Sequence, residues 1–160
     1  MNGGTKIKTK INTKKAVLWG AVLIIIQMII GNVFYMNPYV ANIYKEFEGH
    51  HSLKTFEFIG GFGNWIFLTM VFGIFLMIVW IFLYRLFYSS LPGNGWIKGL
   101  YFGIIIGFIK SVPEAFNQWM LINYPTPLIL VQLFNTFVSL IIFGALLGFF
   151  FSKFKVIINE

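Results

Sequence analysis

The chain has 160 residues, a formal net charge of +7, 58% hydrophobic residues and only 11% charged ones. With a mean hydropathy of +0.81, this composition excludes an ordinary soluble domain and fits about four spans of ~20 residues joined by short loops. The absence of cysteine excludes disulfides, thiolate nucleophiles and cysteine metal sites.

Residues 1–15 are polar, rich in Gly, Thr and Lys, and are expected to form a basic, disordered tail. Lys6, Lys8, Lys10, Lys14 and Lys15 flank the first apolar run instead of covering a folded face, which argues against nucleic acid as a partner. Near anionic headgroups each lysine is worth about 1 kcal/mol, but a solvated topology signal accounts for them. Residues 16–36 are the first expected span of a membrane domain covering 16–152. The run is long, and Asn-Val-Phe-Tyr-Met-Asn-Pro follows it in place of small residues, so it reads as an uncleaved span and not a signal peptide. Gly20, Gln27 and Gly31 share one side of it.

An outer loop is expected over 37–62. Asn37 and Pro38 have the pattern of a cap and a first helical residue. Val40, Ile43, Tyr44 and Phe47 then suit a short interfacial helix. Glu48, His50 and His51, with Glu46 and Glu57 nearby, offer imidazole and carboxylate ligands. No HExxH-type spacing accompanies them, so a solvated loop is expected and no metal site.

The second span is expected over 64–88, and Ser-Ser-Leu-Pro-Gly-Asn-Gly at 89–95 is a tight turn. The third runs over 97–120. Asn-Tyr-Pro-Thr-Pro at 123–127 turns the chain back, with Thr126 expected as N-cap and Pro127 as first helical residue. The fourth span covers 128–151, and 153–160 form a short C-terminal tail.

The third span carries the chain's most costly residues. Gly99, Gly103, Gly107, Lys110, Glu114 and Asn117 follow at steps of four, four, three, four and three, one continuous stripe on a helix. The glycines permit close helix approach, as do Gly144 and Gly148 in the fourth span. Lys110 falls near mid-membrane, where a charge costs on the order of 2.5–3.5 kcal/mol. Glu114, one turn further, offsets part of that cost. Pro113 removes a backbone hydrogen bond, frees the carbonyl near Ile109 and predicts a kink. Gln27 and Asn32 of the first span, and Gln132, Asn135 and Ser139 of the fourth, lie at similar depth. With Asn117 and Gln118 they predict an intramembrane polar cavity.

The fold expected is therefore an all-α, multi-pass four-helix bundle in the cell membrane, with both termini on the cytoplasmic side. Nine of the twelve basic residues lie on that side: Lys6, Lys8, Lys10, Lys14, Lys15, Arg85, Lys98, Lys153 and Lys155. Lys45 and Lys54 lie opposite. Tyr35, Tyr39, Trp65, Trp119 and Tyr124 mark the outer boundary; Trp19, Tyr84, Tyr88, Trp96 and Tyr101 mark the inner one. There is no aspartate, no histidine within a span and no phosphate loop, so neither an enzyme nor a cofactor is expected. The leading function is binding or transport of an ion, proton or small polar solute through Lys110, Glu114 and the amides. The alternative is a non-catalytic accessory subunit whose stripe packs against a membrane partner. The lipid bilayer is a partner in either case, and transport by so small a chain calls for a homodimer.

Overall fold

The computed structural model describes residues 9–51, 53 and 55–159. In chain order these form β1 (Thr9–Ile11), α1 (Thr13–Tyr35), α2 (Pro38–Glu46), a 3-10 turn (Phe56–Ile59), α3 (Phe62–Phe87), α4 (Trp96–Leu121), α5 (Thr126–Lys153) and β2 (Ile157–Asn159). Helices α1, α3, α4 and α5 have 23, 26, 26 and 28 residues and are long and apolar enough to cross a membrane. At 1.5 Å per residue they measure about 35–42 Å.

The two ends of the chain are joined. β1 pairs antiparallel with β2, Ile11 opposite Ile157. Residues 9–15, expected in a disordered tail, are thus a strand followed by the first turn of α1, and the C-terminal tail supplies the other strand. Residues 1–8, with Lys6 and Lys8, lie outside the described residues, as does Lys54. Asn12 caps α1 by accepting from the Lys15 N–H at 3.2 Å. Lysines in a first turn oppose the helix dipole. Lys15 relieves this by donating Nζ to the Phe154 carbonyl at 3.0 Å, at the negative end of α5. Trp19 stacks on Phe154 with ring centroids 3.6 Å apart. Val156, the residue before β2, is fully buried.

Asn37 couples α1 to α2. Its Oδ1 accepts from Val40 N–H at 3.0 Å, while its amide donates to the Phe34 carbonyl at 2.9 Å. Pro38 occupies the first turn, as the sequence indicated. The cap of α5 lies one residue earlier than expected. Pro125 is the N-cap, Thr126 already belongs to the helix, and Leu128 and Ile129 donate to the Pro125 carbonyl. Proline's fixed φ suits a cap as well as a first helical position, so the two prolines of Pro-Thr-Pro compete for the role.

Helices α4 and α5 share the closest interface, and their glycines are the reason. A Cβ on Gly99 would collide with the Gly144 carbonyl oxygen, and one on Gly103 would lie 2.5 Å from the Leu140 carbonyl oxygen. A Cβ on Gly148 would lie 2.7 Å from Gly99 Cα. Gly107 differs, because it faces the Phe137 ring at 3.0 Å. Without side chains the two backbones touch, which is how GxxxG spacing binds helices in lipid. Helix α1 packs on α5, and α3 reaches α1 where Gly20 meets Ile81. Tyr84, Phe102, Leu147, Phe151 and Val156 gather into the core at the strand end of the molecule. Along α3, Phe62, Phe67, Phe72, Phe75 and Ile78 remain exposed and apolar. Such helices suit contact with a lipid bilayer.

The α3–α4 turn uses Gly93 and Gly95 at φ values of 77° and 52°. Lys98 closes it by donating to the Tyr88 carbonyl at 2.6 Å, with Nζ 4.3 Å from the Tyr88 ring centre.

Candidate functional site

Past the glycine contact, α4 and α5 diverge enough to leave a cleft of about 330 Å³. Tyr35 of α1 forms one wall. Lys110, Ser111, Glu114, Ala115 and Gln118 of α4 form another, and Gln132, Leu133 and Thr136 of α5 the third. The described residues of α3 take no part in the lining.

The α4 face differs from the expected stripe. Beyond Gly107, the small-residue series continues at steps of four through Ser111 and Ala115, then to Gln118. Lys110 and Glu114 form the neighbouring column at the cleft's edge. The physical reason is close approach: a position pressed toward a facing backbone takes serine or alanine, not lysine. Ser111 is accordingly 2% exposed, while the Lys110 and Glu114 side chains are 41% and 52% exposed. Their Nζ and Oε2 lie 3.9 Å apart. Asn117 falls outside the lining and is exposed; Gln118 takes the place expected for it. Helix α4 runs unbroken through Pro113.

The amides divide into those that line the cleft and those that tie helices together. Gln132 does both. Its Nε2 donates to Tyr124 Oη at 2.7 Å and to Tyr44 Oη at 3.1 Å, and its Oε1 accepts from Gln118 at 3.2 Å. Helices α2, α4 and α5 and the loop before α5 thus meet at one side chain. Burial pushes the Tyr124 phenol up to about 12, assisted by the nearby Tyr44. Tyr35 Oη and Thr136 Oγ1 are 2.8 Å apart and join α1 to α5. Asn135 is buried and donates to the Phe34 carbonyl at 2.8 Å, outside the cleft. Ser139 bonds back to the Thr136 carbonyl. Asn32 bonds within α1 to the Met28 carbonyl. Gln27 also lies away from the cleft, with a buried Oε1 that lacks a partner among the described residues.

Ser111 is the residue that reading the sequence passed over. The residue borders the cleft, and its Oγ is buried without a hydrogen-bond partner among the described residues. The signal was present: Gly95, Gly99, Gly103, Gly107, Ser111 and Ala115 repeat every four residues.

In the outer loop, His50 and His51 stack with ring centroids 4.4 Å apart, and His51 Nε2 pairs with Asn123 Nδ2 at 3.1 Å. Glu48 is exposed. Among the described residues, no three His, Asp or Glu side chains gather as a metal site would require.

Four long apolar helices fit a membrane protein in contact with lipid, and Lys110, Ser111, Glu114, Gln118, Gln132 and Thr136 among its polar residues line one cleft. No protein-family model, curated protein or solved structure matches the chain.

Proposed function

We propose that this membrane protein binds a small polar solute or ion in the cleft between α1, α4 and α5, as a binding or transport component and not as an enzyme. The observation that carries the reading is Ser111. A buried hydroxyl without a partner costs about 1–3 kcal/mol, and its residue borders a space large enough for a solute, beside a lysine and a glutamate. Ion-paired charges within a span are expensive where amides would serve to hold helices together. The bias of lysine and arginine toward the end that carries both termini supports a cytoplasmic location for that end of the chain and a cell-membrane setting.

The test is thermal unfolding of the protein in lipid nanodiscs against a panel of small ions, acids, amines and polyols. A binding site predicts a concentration-dependent rise in Tm for at least one solute, because a ligand that binds only the folded state stabilises it. Lys110→Met should abolish that rise without unfolding the protein. A panel without effect on the wild type would remove the reading.

One observation favours an accessory role instead. Asn117 is exposed on α4 beyond the cleft, where a partner helix could accept its amide. Sizing of crosslinked and uncrosslinked protein in native membranes separates the two, since an accessory subunit must copurify with a second chain.

A further inference from the structure

The distribution of unused hydrogen-bonding capacity indicates what class of solute the cleft takes; this inference rests on the reading that the cleft is a binding site. On the α5 and α1 walls the polar groups are already engaged. Gln132 is shared among Gln118, Tyr44 and Tyr124, and Thr136 with Tyr35. Capacity remains on α4. The 3.9 Å separation of Lys110 Nζ and Glu114 Oε2 is an ion pair but too long for a hydrogen bond. The ammonium therefore still offers three donors, the carboxylate its acceptor positions, and Ser111 a hydroxyl able to do either.

These groups are electrically neutral as a set. A cation entering alone faces Lys110 as well as Glu114, and an anion entering alone faces Glu114 as well as Lys110. Within a membrane span, an added uncompensated charge costs more than a single contact returns. A ligand carrying both signs meets each with its opposite and keeps the cleft neutral. The volume of about 330 Å³ is at the small end of ligand pockets, so the molecule must be small.

We propose that the cleft binds a small zwitterion, an ammonium and an anionic group only a few atoms apart. The ammonium sits on Glu114, the anionic group on Lys110, and the Ser111 hydroxyl turns about χ1 into the cleft to donate to the anionic group. Such chemistry comes from two sources: a free solute of the amino-acid or glycerophosphoethanolamine type, or the headgroup of phosphatidylethanolamine entering from the bilayer.

Equilibrium dialysis of radiolabelled glycine and glycerophosphoethanolamine against the full chain tests this. The protein is held in nanodiscs of phosphatidylglycerol alone, then in discs that also contain phosphatidylethanolamine. Acetate and ethylamine serve as singly charged probes. The expected result is roughly tenfold or greater preference for a zwitterion over either single charge. Lys110→Met, Glu114→Gln and Ser111→Ala should each weaken zwitterion binding, the first two by about tenfold. The exchange Lys110→Glu with Glu114→Lys should restore much of the loss, and Asn117→Ala should leave affinity unchanged. Displacement of the free zwitterion by phosphatidylethanolamine discs identifies the lipid headgroup as the source; indifference to disc lipid identifies the free solute. If acetate or ethylamine binds as tightly as the zwitterions, the charge class is wrong while the cleft remains a binding site. If no probe binds in either disc, both readings fall.

Discussion

Gly103 and Gly144 meet backbone to backbone: a Cβ on Gly144 would stand 2.6 Å from both Cα and N of Gly103. This contact fixes how close α4 and α5 lie, and so sets the width of the cleft further along the same pair. Gly144→Leu is expected to cost about 1–3 kcal/mol or more, because neither facing backbone can yield as a side chain would. Gly73→Ala, which meets nothing within 4 Å, should be neutral or gain up to about 1 kcal/mol from helix propensity. Reversible unfolding in bicelles measures both. Equal effects from the two substitutions would contradict the glycine contact.

Tyr84 is fully buried among Tyr88, Phe102 and Phe151, and its hydroxyl has no partner among the described residues. Tyr84→Phe removes an unsatisfied group while keeping the ring, so stability should hold or rise by on the order of 1 kcal/mol. Tyr84→Ala should cost about 3–5 kcal/mol through the cavity it leaves. A large loss in the phenylalanine variant would reveal a partner for the hydroxyl.

Tyr124 links the loop before α5 to Gln132, and burial pushes its phenol up to about 12. The neutral phenol is thus favoured in the folded state, whereas the unfolded chain ionises near 10. Stability from this group is complete below about pH 10 and is lost as pH rises toward about 12. The difference in Tm between wild type and Tyr124→Phe should therefore shrink or reverse across that window, isolating Tyr124 from other tyrosines and lysines. A constant difference would contradict the shift.

The joined termini give a fourth expectation. Removing residues 156–160 takes fully buried Val156 from the core and deprives the Asn12 N–H of its Val156 carbonyl. The loss should be on the order of 2–4 kcal/mol, as for other large core deletions. The same unfolding measurement applies, and a silent truncation would show that the strands contribute nothing.

Hydrophobicity made the long helices legible in the sequence, because a span of about 20 apolar residues has few other uses. The observed boundaries fall within three residues of those expected: α1 begins at Thr13 and not 16, and α5 at Thr126 and not 128. The paired strands were not legible. Thr-Lys-Ile and Ile-Ile-Asn are too short to show alternation, and their pairing joins opposite ends of the chain. The cleft was legible in part. Lys110, Glu114 and Gln132 stand out by the cost of placing them within a span, but Asn135 and Gln27 have similar chemistry and lie elsewhere. Polarity marks depth in a membrane; it does not say which neighbour a side chain faces. Ser111 was hidden for the opposite reason, since a serine is cheap to bury and only the four-residue repeat of small residues marks it.

The chain has no cysteine, so a single Ala115→Cys substitution, small and at a half-buried position of the lining, reports on the cleft alone. The decisive measurement is its rate of reaction in native membranes with a charged, water-soluble thiol reagent, compared with Phe108→Cys on the exposed apolar face of α4. A water-filled cleft predicts labelling of the Ala115→Cys protein at least roughly tenfold faster. Equal rates, or no reaction at the cleft position from either side of the membrane, would contradict it.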